Sequence, residues 1–162
     1  RANHQPWHFV AISDLAMKRR IRDAAEQEER RFYDGVAGSE WLKALAPIGT
    51  SDNKPHLKEA PWLIVFAQRS SQLDDGIRFE NYYVLESTGI SRGFLLAALQ
   101  HAGLSTLLHT PNPMKFLNGM LGRPDSEKPV MIIATGHVAA HAKVPAVAKI
   151  KKPLDEILTV AD

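Results

Sequence analysis

Cysteine is absent from the 162 residues. Disulfides, thiolate metal sites and cysteine nucleophiles are therefore excluded, and a reducing, cytoplasmic setting is compatible with the chain. No apolar run reaches the roughly 18 residues that a membrane-spanning helix needs. Charge of one sign is also missing: the net charge is +2, and no long Lys/Arg block or interleaved aromatic array is present, so neither nucleic acid nor a membrane surface is an expected partner. GxGxxG, a Walker lysine loop and HExxH are all lacking, which disfavours Rossmann, P-loop and zincin chemistry. Seven histidines are present, at 4, 8, 56, 101, 109, 137 and 141. The pairs His4/His8 and His137/His141 fall in segments that read as extended or turning, where i+4 residues do not converge, so no metal site is expected.

What remains is an ordinary globular composition, 44% hydrophobic, of a length that suits one domain spanning 1–162. The chain opens on Arg1 rather than Met and reads as the later part of a longer protein, with any leader or anchor upstream. His8–Ile12 reads as a short buried strand. Ser13 is a plausible helix N-cap with Asp14 beside it, and the helix should run to about Tyr33, stopping before Gly35. Residues 35–60 carry several Gly and Pro and a short helical piece around Ser39–Ala46, a length and composition that suit either a lid or a plain surface insert. Pro61–Gln68 reads as a central strand. A polar loop follows, then a long, well-buried helix over Asn81–Ala102, closed by Gly103. Small residues inside it (Ser87, Gly89, Ser91, Gly93) permit close helix packing, either within the chain or across a dimer. Leu104–Leu108 and Val130–Val138 read as strands, Lys115–Leu121 as a short helix, and the end as a basic tail with one amphipathic turn. Four sheet strands are expected; periodicity alone does not decide between parallel and antiparallel.

The candidate chemistry centres on Glu29, Tyr33 and Lys54. Glu29 and Tyr33 are four apart on one helix and share a face. The ladder Met17, Ile21, Ala25 turns polar where it reaches them, as a core face does where it opens into a cleft. Lys54 follows in the loop-like SDNKPHLKEAP. Glutamate accepts from an ammonium, while lysine and tyrosine donate to a carboxylate, so the three suit the two ends of an amino-acid zwitterion. Individually, each is an ordinary surface residue type.

With ANHQPW near the start, LHTPNP later, and the LLAALQ and LGRP segments, the trio resembles the iodotyrosine deiodinase branch of the nitroreductase-like flavoproteins. LLAALQ and LGRP are shared across the superfamily; Glu29, Tyr33 and Lys54 mark the branch. The resemblance implies an α+β sandwich, a mainly antiparallel sheet flanked by helices, formed as an intertwined homodimer whose C-terminal tail reaches the partner. It implies FMN as cofactor and a halotyrosine as substrate, bound through Glu29, Tyr33 and Lys54, with the backbone N–H of Ala2 meeting the phenolate oxygen. Leu108, His109 and Thr110 correspond to the second flavin segment. Thr110 matches the threonine whose hydroxyl is expected near flavin N5, where it would favour one-electron steps, and His109 stands where the family pattern has a threonine. Lys151 stands where an arginine contacts the FMN phosphate; lysine keeps the charge but not the bidentate fork. An arginine-rich element that supplies the main phosphate contacts is expected upstream. The implied activity is reductive dehalogenation of halotyrosines. Two rivals stand beside it: a general NAD(P)H-dependent nitroreductase or quinone reductase on the same fold, and a non-catalytic halotyrosine- or flavin-binding module.

Overall fold

Alternation along two neighbouring apolar segments builds the centre of the molecule. The computed structural model describes residues 3–36 and 38–161. Its elements are β1 (Trp7–Ile12), α1 (Leu15–Arg31), α2 (Ser39–Leu45), α3 (His56–Glu59), β2 (Trp62–Arg69), β3 (Ser71–Asp74), β4 (Ile77–Glu80), α4 (Val84–His101), β5 (Ser105–His109), α5 (Phe116–Leu121) and β6 (Glu127–Gly136). Four strands form one antiparallel sheet in the order β1-β2-β6-β5. Leu63 pairs with Ala134 and Val65 with Ile132. All four join Ile12, Ile21, Ala25, Leu57 and Leu117 in one buried cluster under α1, α3 and α5. The alternate residues Phe66, Met131 and Ile133 face the other way and pack with Leu95 and Leu96 of α4. A period of two thus sends each strand's side chains into two cores, one on each face of the sheet.

The expected α+β class, antiparallel sheet and four sheet strands all hold. Several local expectations are corrected. The N-cap of α1 is Asp14, not Ser13: its carboxylate accepts from the Met17 N–H at 2.8 Å. After Arg31 the chain continues through a wider π-helical turn, Phe32–Val36, past Gly35. The polar loop is a β3–β4 hairpin turning at Asp75-Gly76, both at positive φ, as a two-residue primed turn requires. Strand β6 begins at Glu127, because Pro129 is accommodated where the register slips between Phe66 and Ala67, and β5 does not extend that far. Helix α4 starts at Val84, and it is not well buried. Only Thr88 falls in the buried class, while Leu85, Ile90 and Phe94 are 72%, 63% and 74% exposed. A Cβ at Gly89 or Gly93 would meet nothing within 4 Å, so these two glycines make no close packing among the described residues.

Two tertiary ties position the later site. Lys18 is buried, and its Nζ donates to the carbonyls of Ala60 (2.7 Å) and Pro61 (3.2 Å), fixing α1 to the start of β2. At the other end of β6, a Cβ on Gly136 would come within 2.5 Å of Pro61 Cδ, so the close approach of these two segments requires glycine there.

Candidate active site

The Arg22–Glu26 pair on α1 organises the approach to the cavity. Arg22 Nε donates to Glu26 Oε1 at 2.7 Å and Nη2 to Asn53 Oδ1 at 2.9 Å, while Glu26 Oε1 also accepts the backbone N–H of Lys54 at 2.8 Å. Burial alone would raise the Glu26 pKa; the Lys54 N–H and the guanidinium outweigh it and hold the group below its ordinary value. This clasp draws the 50–54 loop onto α1 and turns the Lys54 side chain inward. Lys54 Nζ donates to Thr50 Oγ1 at 2.9 Å and lies 3.5 Å from Glu29 Oε2, both side chains being largely buried (6% and 14% exposed).

Around this pair lies a half-open cavity of about 530 Å³. Glu28, Glu29, Phe32 and Tyr33 line it from the end of α1 and the turn beyond, Trp41 and Leu45 from α2, Thr50 and Lys54 from the loop, and Leu108, His109 and Thr110 from β5 and its exit. Polar groups therefore meet an apolar wall of Phe32, Trp41, Leu45, Ile48 and Leu108, the mixture typical of a small-molecule site. Two buried polar atoms at the cavity have no hydrogen-bond partner among the described residues: the Tyr33 hydroxyl and His109 Nε2. Unpaired groups of this kind are costly in a finished core and are accounted for where a ligand or water completes them.

His109 ends β5 opposite Ile132 and is buried. Its ring meets that of His56 edge-to-face at 5.5 Å. Burial first, then the Lys54 ammonium and His56, push its pKa down to about 3. Burial likewise lowers His56, with Lys54 adding to the effect. The 3.9 Å approach of His109 Nε2 to Glu29 Oε1 is thus a contact between a neutral ring and a carboxylate, and no ion pair.

The structure brings Glu29, Tyr33, Lys54, Leu108, His109 and Thr110 together around one cavity. Lys151 is not among its lining residues; it lies in the exposed tail, with Nζ donating to the Ala148 carbonyl at 3.2 Å. Ala2 lies outside the described residues. Six contributors were not foreseen. Trp41, Leu45 and Ile48 follow an i, i+4, i+7 spacing that signals a shared face, and the i, i+4 Arg22–Glu26 pair signals a tie to something beyond the helix. His56 carries no sequence signal of its own.

The model of the Nitroreductase family matches residues 1–137. The chain belongs to the nitroreductase family. Among its relatives, iodotyrosine deiodinase from Haliscomenobacter hydrossis is 50% identical over 145 residues, covering 89% of this chain and 65% of that protein. Iodotyrosine deiodinase from Hydra vulgaris is 39% identical over 163 residues, covering 99% of this chain and 59% of that protein. A crystal structure of oxidized iodotyrosine deiodinase bound to FMN and 3-iodo-L-tyrosine superimposes with a TM-score of 0.77 at 28% identity, covering 99% of this chain and 78% of that one. This nitroreductase-family chain thus spans about 59–65% of the length of those two relatives. Among its described residues no helix is long and apolar enough to cross a membrane.

Proposed function

We propose that the protein is an FMN-dependent reductive dehalogenase of halotyrosines. The observation that carries this reading is the meeting of Glu29, Lys54 and the unpartnered Tyr33 hydroxyl on the cavity that Leu108–Thr110 also lines. In this reading Glu29 accepts the ligand's ammonium, Lys54 and Tyr33 donate to its carboxylate, and the aromatic ring lies against the Trp41–Leu45–Ile48 wall. The Ala2 amide holds the phenolate. Because α2 and the loop after it supply one side of the cavity, a bound ligand draws them inward and excludes water from the reacting ring.

The residues present fit a flavin on one edge. Leu108 is 44% exposed where β5 leaves the sheet, and Thr110 is an exposed hydroxyl at the cavity rim. Thr110 is a candidate to hydrogen-bond the flavin edge, and the Lys151 ammonium is a candidate for the phosphate. Bound FMN supplies the electrons for Ar–I + 2e⁻ + H⁺ → Ar–H + I⁻, the protein supplying position and electrostatics.

The proposal includes a homodimer. The exposed apolar face of α4 and the exposed Ile150, Leu154, Ile157 and Val160 of the tail are the surfaces that a second copy would cover, and a tail reaching across would place Lys151 at the neighbouring subunit's flavin. A cytoplasmic location, as for a soluble bacterial-type enzyme, belongs to the same reading and is checked by cell fractionation.

The deciding experiment is halide release from 3-iodo-L-tyrosine by the FMN-loaded, full-length protein under chemical reduction without oxygen. Stoichiometric iodide with tyrosine as product is the expected result. Flavin that reduces normally without iodide release would replace this reading with a general nitroreductase.

A further inference from the structure

His109 is the buried polar group at the cavity to which the amino-acid reading gives no task. Its Nε2 is sealed from solvent without a hydrogen-bond partner, and the acceptor facing it is Glu29 Oε1, 3.9 Å away. The other oxygen of the same carboxylate, Oε2, faces Lys54 Nζ at 3.5 Å. We propose that His109 is a positioning residue for Glu29: its Nε2–H and the Lys54 ammonium each face one carboxylate oxygen and together aim the carboxylate at the cationic end of an amino-acid ligand. This rests on the reading of the cavity as an amino-acid site.

The choice of imidazole has a physical logic. A second cation beside Glu29 would cancel its charge and repel the incoming ammonium. A neutral imidazole donates one N–H and leaves the charge in place. Burial and the Lys54 ammonium keep the ring neutral at physiological pH. The ring is also held from behind: its backbone pairs with Ile132 in the sheet, and the edge-to-face His56 ring backs its plane. Glu29, by contrast, projects from the last turn of α1, where the helix loosens into the wider turn of Phe32–Val36. A donor on the rigid strand thus fixes an acceptor on the less regular element.

The test separates orientation of Glu29 from simple packing. The FMN-loaded, full-length protein is titrated calorimetrically with 3-iodo-L-tyrosine and with its des-amino analogue, 3-(4-hydroxy-3-iodophenyl)propionate. His109→Leu is expected to weaken the amino acid about tenfold while moving the des-amino ligand by less than about twofold, the signature of one lost charge-assisted hydrogen bond. His109→Gln, which returns an N–H at similar reach, is expected to restore most of the affinity. Equal losses for both ligands, or none for the amino acid, would overturn the assignment. A wild-type protein that binds neither ligand would sink the amino-acid reading instead. In that case the His109–Glu29 contact is decided by ¹⁵N imidazole spectra of the unliganded protein. A neutral Nε2–H tautomer at pH 7 whose resonance shifts in Glu29→Gln supports it; an Nδ1–H tautomer, or a resonance indifferent to that substitution, rejects it.

Discussion

Two largely buried carboxylates in this molecule meet cations in opposite ways. Glu127, at the start of β6, is 2% exposed and fully engaged: Arg69 Nε donates to it at 2.8 Å, Arg123 Nε at 2.8 Å and Arg123 Nη2 at 2.7 Å. Its own backbone carbonyl accepts from Asn118 Nδ2 at 2.7 Å. Burial pushes its pKa up, and the two guanidiniums more than reverse that. Glu29 has a cation and a neutral ring within 4 Å, yet neither contact is a formed hydrogen bond among the described residues. A saturated carboxylate ties elements together; an unsaturated one beside a cavity retains acceptor capacity for something that arrives.

The largest effect expected from breaking this contrast is on the saturated side. Glu127→Ala leaves two partly buried guanidiniums unpaired and should lower stability by about 3 kcal/mol, the low end for breaking a buried ionic network because both arginines keep some solvent. Urea unfolding followed by circular dichroism measures it. A loss below about 1 kcal/mol would place Glu127 with ordinary surface pairs and dissolve the comparison.

Glu29→Gln is the mirror experiment. Affinity for 3-iodo-L-tyrosine should fall by about 2 kcal/mol or more, while the stability of the unliganded protein falls by only about 1 kcal/mol, less than in Glu127→Ala, because Lys54 keeps its hydrogen bond to Thr50. The reverse outcome, lost stability with intact affinity, would make Glu29 a second structural carboxylate.

Titration sharpens the contrast because His109 and Glu127 respond in different pH windows. His109 has its folded pKa lowered to about 3 from 6.5. The unfolded chain therefore takes up that proton first as pH falls below 6.5, and the stability contributed by the neutral ring is present above 6.5 and lost progressively towards pH 3. The lowered His56 and His8 act in the same direction. Glu127, lowered from 4.5, begins its loss only below that value. Between pH 6.5 and 4.5 the histidines dominate, so His109→Gln should flatten the acid limb by up to about 1.4 kcal/mol per pH unit there. Stability curves at several pH values, wild type against variant, read this directly; identical slopes would show that His109 protonates freely in the folded protein.

The same contrast governs what the sequence could reveal. Saturated, apolar features announce themselves: PWLIVFAQ and VMIIATG can only be central strands, and their alternation sets two cores. The antiparallel order came from the family resemblance, since parallel central strands would be equally apolar. The β3–β4 hairpin is legible only in Asp75-Gly76, because its two flanks are short and half polar. Helix α4 differs for another reason: a helix apolar all round reads as buried, but Leu85, Ile90 and Phe94 are exposed in this chain. At the cavity, Glu29 and Tyr33 were placed by helical spacing, whereas Lys54 depends on a loop whose path is set by Arg22, Glu26 and Asn53, contacts without local periodicity.

That clasp carries the smallest prediction. Arg22 touches no ligand in the proposed reading; it acts through Glu26 and Asn53, which fix the loop bearing Lys54. Arg22→Ala removes one partly buried ion pair while Glu26 keeps the Lys54 N–H, so stability should fall by about 1 kcal/mol. Lys54 then samples positions away from Glu29, and binding must supply the ordering that the clasp supplied before, a cost of about 0.5–1 kcal/mol or a few-fold in affinity. Calorimetric titration of 3-iodo-L-tyrosine should show this loss mainly as a less favourable entropy, with Lys54→Ala added on top giving less than the sum of the two single effects. Strict additivity would mean that Arg22 and Lys54 act independently, and that the loop holds its shape without the helix beneath it.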